Sequence, residues 1–346
     1  MNVTAILTRF RHHSPNGGYK RLVHELAQLE DISIMEFGND ETREDFPNST
    51  IEKIQLRYKW IAEFRAWHYA QSIPTDVIHL MYGEEYFRFS SRLFPKTPIV
   101  ATFHQPADVL DQEMKHGNLG GRVSAIAHRL NPNRFRSLSA AIVTNPDQKQ
   151  VLKCVMPEDK IYHIPLGVDV KLRNFTASER KGGIVTLGNW FRDWSVYIDV
   201  VQKMPDQVFH LVNRQLPTEI KKAVQGLPNC HYHFNISDES LNEILTNSIC
   251  AFLPLHKLAG SNALLECWAS GLPIIMSNVN SDFWKKSGAG CLALFEPTSV
   301  DQAVTKLRDI ISTTTPEIRK KCVSAANSFS WKASAEATFD LYNELK

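Results

Sequence analysis

The sequence predicts an α/β protein built as two parallel-sheet domains, on three observations. Short β-branched or aromatic runs alternate with helical patterns along the whole chain, as strand–helix–strand crossovers require. At 346 residues the chain is long for a single core. The stretch LGVDVKLRNFTASERKGG (166–183) is polar and bounded by glycine, the composition of a connection between domains.

In the first half the strand candidates are VTAILT (3–8), SIMEF (33–37), VIHLMY (77–82), PIVATFH (98–104), AAIVTN (140–145) and IYHIP (161–165). In the second half they are GIVTLGN (183–189), VFHLVN (208–213), HYHF (231–234), ICAFLPL (249–255), PIIMS (273–277) and CLALF (291–295). The expected parse is a first domain at 1–166, a second at 167–328 and a closing helix at 329–346. Two such domains leave a cleft between them, and parallel sheets bind ligands outside the carboxyl ends of their strands.

Bulk chemistry narrows the function classes. A formal charge of +2, with no interleaving of aromatic and basic residues, argues against nucleic acid as the partner. No run approaches the ~18 apolar residues of a membrane span, and MNVTAILTRFRHH turns basic too early for a signal peptide. The six cysteines (154, 230, 250, 267, 291 and 322) are scattered and mostly lie in apolar runs, which suits reduced, buried thiols better than a disulfide framework or zinc site. A cytoplasmic protein is expected, and the sequons at Asn2, Asn48, Asn174 and Asn235 are read as chance.

The most informative stretch is LAGSNALLECWASGLPIIMS (258–277). ICAFLPL reads as a strand and 263–270 as a short helix, with Gly271 at its C′ position and Pro273 preventing continuation. The helix start, Gly260-Ser261-Asn262, then lies beyond the strand's carboxyl end, where unpaired N–H groups and partial positive charge suit a phosphate. Glu266 follows Asn262 by four residues, on the same face and one turn deeper, where its carboxylate can accept two ribose hydroxyls. Leu264, Leu265 and Trp268 are left to pack inward. From these residues alone a second reading stands beside it, a half-buried glutamate held by backbone N–H groups in an ordinary αβ unit.

GSNALLECWASGLPIIMSNV resembles the signature region of glycosyltransferase family 4 and related GT-B enzymes, an E-x7-E pattern followed by A-x-G-x-P. Further likeness lies in 140–175, which ends in a P-x-G-V-D turn, in GIVTLGNWFRDW (183–194), in 231–254 and in the closing segment 328–345. The resemblance implies a GT-B fold, two Rossmann-like domains facing across a cleft, with a C-terminal helix crossing back to the first. It also implies transfer of a hexose-type sugar from a nucleoside-diphosphate sugar to an acceptor hydroxyl, with retained configuration and without metal or other cofactor.

Carried over by position, Glu266 holds the ribose, while Gly260, Ser261, Asn262, Ala263 and Leu264 approach the diphosphate and sugar. Gly17 and Gly18 match the Gly-rich turn after the first strand, and His104 matches a histidine that reaches the transferred sugar. The family's first glutamate falls at Leu258 and its usual arginine at Asn189, so Arg192 and Lys257 are the candidate cations for the leaving diphosphate. A uridine nucleotide is the favoured donor and a saccharide or lipid-linked molecule the expected acceptor. Those two departures also motivate a second hypothesis, a transferase-like binding or assembly subunit without catalysis. A sugar epimerase of the same fold ranks third.

Glu84 and Glu85 follow a strand end and are either solvated loop charges or a general base on the acceptor. His104 by itself is also readable as a core histidine. Residues 114–146 contain no Asp or Glu but five Lys or Arg. Within them Val123, Ile126, Ala127 and Leu130 make an expected inward stripe, leaving Arg122 and Arg129 outward. That basic run is either a solvated face or a patch for an acceptor or anionic membrane, which would place the protein peripherally at the inner face of the bilayer. His231 and His233 lack a third ligand nearby in sequence, and GAGCLA (288–293) precedes a strand where a dinucleotide fingerprint would follow one.

Overall fold

The computed structural model describes residues 1–9, 18–40, 59–117, 121–173, 175, 180, 182–214 and 216–346. The chain divides into two compact units, one of Met1–Gly167 with Trp331–Lys346 and the other of Val168–Ser330.

The sheet of the first unit is wholly parallel, ordered β2-β1-β3-β4-β5-β6. Its strands are β1 (Asn2–Arg9), β2 (Ser33–Asp40), β3 (Val77–Leu80), β4 (Ile99–Phe103), β5 (Ala140–Val143) and β6 (Ile161–His163). Every residue of β3, β4 and β5 is buried, because helices cover both faces of a parallel sheet and leave no room for alternation. The described helices are α1 (Gly18–Leu26), α2 (Ile61–Ala70), α3 (Gly83–Tyr86), α4 (Ser90–Leu93), α5 (Ala107–His116), α6 (Gly121–Leu130) and α7 (Asp147–Leu152).

The second unit holds β7 (Ile184–Leu187), α8 (Trp194–Lys203), β8 (Phe209–Val212), α9 (Thr218–Gln225), β9 (Cys230–His233), α10 (Asp238–Asn247) and β10 (Cys250–Leu253). It continues with α11 (Asn262–Ala269), β11 (Ile274–Ser277), α12 (Asp282–Ser287), β12 (Leu292–Phe295), α13 (Val300–Thr313) and α14 (Pro316–Asn327). Its parallel sheet is ordered β12-β11-β10-β7-β8-β9. On one side of that sheet Tyr197, Phe209, Phe252 and Phe295 anchor a core with Val200, Val201 and Leu307. Trp268, Trp284 and Phe329 form a separate aromatic cluster with ring centroids 5.7–6.4 Å apart.

The closing helix α15 (Trp331–Leu345) belongs to the first unit, where it packs on α1. His79, buried on β3, bonds Thr102 Oγ1 at 2.7 Å through Nε2 and the Tyr342 hydroxyl through Nδ1. Burial drives its pKa down to about 3, so the ring is neutral and works as a fixed hydrogen-bonding pin for α15.

Each strand candidate forms a strand, trimmed or extended by a few residues at its ends. One helix face is corrected. In α6, Ile126 and Leu130 are each 56% exposed, against the expected inward stripe, whereas Ala127 and His128 are buried. The inward face is taken by polar chemistry. His128 Nδ1 contacts Arg134 Nη1 at 2.5 Å, and Arg134 and Arg88 both pair with buried Glu113, at 3.1 and 2.9 Å. A buried carboxylate between two guanidiniums must keep its partners, and that requirement outweighs burying two aliphatic side chains. Four of the six cysteines are buried and Cys230 is half-buried, but Cys154 is exposed, against expectation. All six are free thiols.

Candidate functional site

Both sheets reverse strand order, between β1 and β3 in the first unit and, at the middle of the sheet, between β7 and β10 in the second. Adjacent strands there send their following loops to opposite faces, which opens a crevice at the carboxyl ends. Arg192, Lys257 and residues 260–266 follow β7 and β10, Gly18 follows β1, Glu84 and Glu85 follow β3, and His104 follows the neighbouring β4.

In the second unit the loops after β7 and β10 are stitched together. Asp193 N donates to Pro254 O at 3.0 Å and His256 N to Phe191 O at 2.8 Å, around a bridge between Arg192 and Leu255. Gly188 follows β7 at φ 88°, and a Cβ there would sit 2.7 Å from Arg192 Nη2 and 3.7 Å from Ala263 Cβ. Only glycine adopts that backbone at no cost, and it leaves bare main chain beside the first turn of α11. Asn213 Nδ2 holds the Gly188 carbonyl at 3.0 Å.

Helix α11 starts one residue earlier than the periodicity indicates. Ser261 is its N-cap, its Oγ accepting from Leu264 N at 3.2 Å. Gly271 follows at φ 73°, the left-handed stop expected of it. Leu264, Leu265 and Trp268 are fully buried, which pins the opposite face outward. Gly260, Ser261, Asn262, Ala263 and Glu266 are partly exposed along that face. Asn262 Oδ1 is buried there with no hydrogen-bond partner among the described residues. Glu266 keeps 31% of its side chain exposed, with Arg173 Nη2 at 3.4 Å from Oε1. Partial burial raises its pKa, Arg173 opposes that, and Asp238 adds to it.

Arg192, a candidate cation for the leaving diphosphate, is turned inward. It is only 8% exposed, and its Nε donates to Leu187 O at 2.9 Å and Nη1 to Trp190 O at 3.1 Å, with Nη2 also on Leu187 O. The tight turn after Gly188 aims those carbonyls inward, and the guanidinium satisfies them. Burial lowers its pKa to about 10, so it stays charged near neutrality, beneath the bare backbone of Gly188. Lys257 is the more exposed cation, its Nζ 5.9 Å from the ring centroid of Phe191, a residue held at φ 55°.

In the first unit Gly18 opens α1 at φ 66°, while Gly17 lies outside the described residues. Glu84 is corrected from a solvated loop charge. It is fully buried, and its Oε1 accepts from His104 N at 3.0 Å and Gln105 N at 2.8 Å, with His104 Nδ1 also 3.0 Å away. Burial opposes charge on both partners, but their mutual attraction wins, lowering the Glu84 pKa and raising that of His104. His104 remains 21% exposed, with Tyr82 and Tyr19 edge-on at 4.6 and 6.2 Å. Glu85 is half-buried and pairs with Lys59. Arg129 is exposed on α6, and the Arg122 side chain lies outside the described residues.

Three residues absent from the sequence candidates belong to this picture: Gly188, Arg173 and Trp190, the last 76% exposed on the β7 loop. A glycine just past a strand at a switch point was a readable signal for Gly188; pairing between distant segments left none for Arg173. His210 is the third histidine beside His231 and His233, but its Nδ1 bonds His233 Nε2 at 3.0 Å and its Nε2 bonds Gly182 O at 2.7 Å. No group of three or more His, Cys, Asp or Glu is placed to hold a metal ion among the described residues. No described helix is long and apolar enough to cross a membrane.

No family model matches the sequence, and no curated protein matches it. Solved structures do match. Sucrose-phosphate synthase from Thermosynechococcus elongatus superposes with a TM-score of 0.72 at 16% identity, covering 99% of this chain and 98% of that one. Anabaena HepE, in complex with UDP and glucose, gives 0.70 at 11% identity, with 99% and 100% covered. WaaG, a glycosyltransferase of lipopolysaccharide biosynthesis, gives 0.69 at 12%, with 98% and 99% covered. With two parallel six-stranded sheets and nearly full coverage of each neighbour, this chain has the two-domain α/β fold of the GT-B glycosyltransferases.

Proposed function

We propose that the protein is a glycosyltransferase that moves a hexose-type sugar from a nucleoside diphosphate to an acceptor hydroxyl. The observation that carries this reading is the conjunction at the second unit's switch point: the bare turn at Gly188, the outward first turn of α11 and the partly exposed Glu266 one turn deeper. The diphosphate is assigned to the main-chain amides from Gly260 to Ala263, where the helix terminus favours negative charge. Glu266 accepts the ribose hydroxyls. As the sugar departs, charge grows on the diphosphate, and the preorganised amides with Lys257 stabilise it, while Arg192 contributes its charge from beneath the loop. In the first unit His104, held by Glu84, offers its imidazole to a sugar hydroxyl.

Uridine is the favoured base, supported by the neighbour solved with UDP and glucose. Retention of configuration and independence of metal are part of the proposal. Leu258, Asn189 and the inward turn of Arg192 favour the competing reading, a binding subunit without catalysis. The test is incubation with UDP-, GDP- and ADP-linked hexoses, following release of the nucleoside diphosphate. Slow hydrolysis or transfer supports the enzyme, and binding with no turnover of any donor supports the subunit.

A saccharide or lipid-linked acceptor is proposed, reached by peripheral contact with an anionic bilayer through α6. Ile126 and Leu130, one turn apart and exposed, flank exposed Arg129 on a run free of acidic residues. Replacing Ile126, Arg129 and Leu130 with serine should abolish co-sedimentation with phosphatidylglycerol vesicles; undiminished binding overturns this contact.

A further inference from the structure

Resting on the assignment of Glu266 to the ribose, we infer that Arg173 is the positioning residue of the donor site: it clamps one oxygen of Glu266 and leaves the other aimed at the ribose diol. Arg173 ends the short 3-10 turn Val170–Leu172, its N–H donating to Val170 O at 3.1 Å, and that turn packs on α14. The backbone from which the side chain springs is therefore fixed by a different element from the one that carries Glu266. Its guanidinium forks. Nη1 donates to Asn242 Oδ1 on α10, and Nη2 reaches Glu266 Oε1 at 3.4 Å on α11. The Arg173 side chain is 13% exposed while that of Glu266 is 31% exposed, so the pair is screened on the arginine side and open on the carboxylate side.

Three elements thus converge on a single carboxylate, and the arrangement suits a group that must stay ionised and keep one rotamer. A carboxylate accepts two vicinal hydroxyls well only when charged, and burial beside Asp238 works against that charge. Arg173 supplies the opposing charge, and Asn242 keeps Arg173 from swinging away. The role also bears on substrate class. A fixed carboxylate reads a ribose with both hydroxyls and discriminates against a 2′-deoxyribose, whereas a free one tolerates either.

Calorimetry tests this with the nucleoside diphosphate, among UDP, GDP and ADP, that binds the full chain best, and with its 2′-deoxy analogue. For Arg173→Gln the ribonucleotide should bind about tenfold more weakly near neutral pH, and discrimination against the deoxy form should fall. The affinity lost in Arg173→Gln should return at higher pH, as the unclamped Glu266 ionises, and Arg173→Lys should retain part of the effect. Asn242→Ala, which leaves the charge but frees the clamp, should cut discrimination with little shift of the pH profile. It also serves if Arg173→Gln unfolds. Wild-type affinity, discrimination and pH profile in Arg173→Gln overturn the inference, as does wild-type discrimination in Asn242→Ala should the first variant not fold. Glu266→Ala separates the two levels: if it too binds as wild type, the ribose assignment has failed, and if it alone loses binding, only the role of Arg173 has.

Discussion

In the first unit Glu84 is fully buried and meets two backbone N–H groups and an imidazole, while in the second Glu266 keeps a third of its side chain in solvent and has one cation beside it. Both stand near the carboxyl ends of parallel strands. The contrast is between a buried carboxylate with one oxygen, Oε1, already bonded and a carboxylate still open to solvent. A buried, bonded carboxylate stabilises the fold and tunes a neighbour, His104. An open one contributes little to folding and is available to a ligand.

The largest effect on stability should come from Glu84→Ala. It strands two buried backbone N–H groups and leaves the His104 ring without its carboxylate, and removing one member of a buried pair costs about 3–5 kcal/mol. Urea denaturation should show it, and a loss no larger than that of Glu266→Ala would erase the contrast. Next comes Gly188→Ala, whose Cβ meets Arg192 Nη2 at 2.7 Å and whose φ of 88° strains any other residue. A cost of about 1–2 kcal/mol is expected, together with weaker binding of a nucleoside diphosphate. Lost stability with intact binding would make Gly188 a purely structural turn.

The smallest effect is read through pH with His104→Gln. The His104 pKa is raised above 6.5, so its contribution to stability is complete below 6.5 and fades as pH climbs through the higher folded value. The Glu84 pKa is depressed below 4.5, so its contribution holds above 4.5 and fades only as pH falls through the lower folded value. Wild type should therefore exceed His104→Gln most between the two ordinary values, 4.5 and 6.5, and converge on it as pH climbs past the raised His104 value. A gap that stays constant or widens over that range contradicts the ion pair.

What the sequence conveyed follows the range of the forces involved. Strand positions, the start and stop of α11 and the inward set Leu264, Leu265 and Trp268 come from local periodicity, caps and turns, and they are legible. The outward turn of Ile126 and Leu130 is not, because it depends on Glu113, Arg88 and Arg134 meeting from separate segments. The same holds for Glu84 under His104 and for Arg173 against Glu266. Arg192 is a nearer miss. Its charge was readable, but the carbonyls it serves are produced by the turn at Gly188, where only the backbone conformation reveals them.

Calorimetric titration of wild type and Glu266→Ala with UDP, GDP and ADP tests the central assignment most directly. Wild type should bind at least one of them, and Glu266→Ala should bind it about thirtyfold or more weakly while unfolding within about 1 kcal/mol of wild type. Equal affinity in the two proteins, with both folded, would contradict it.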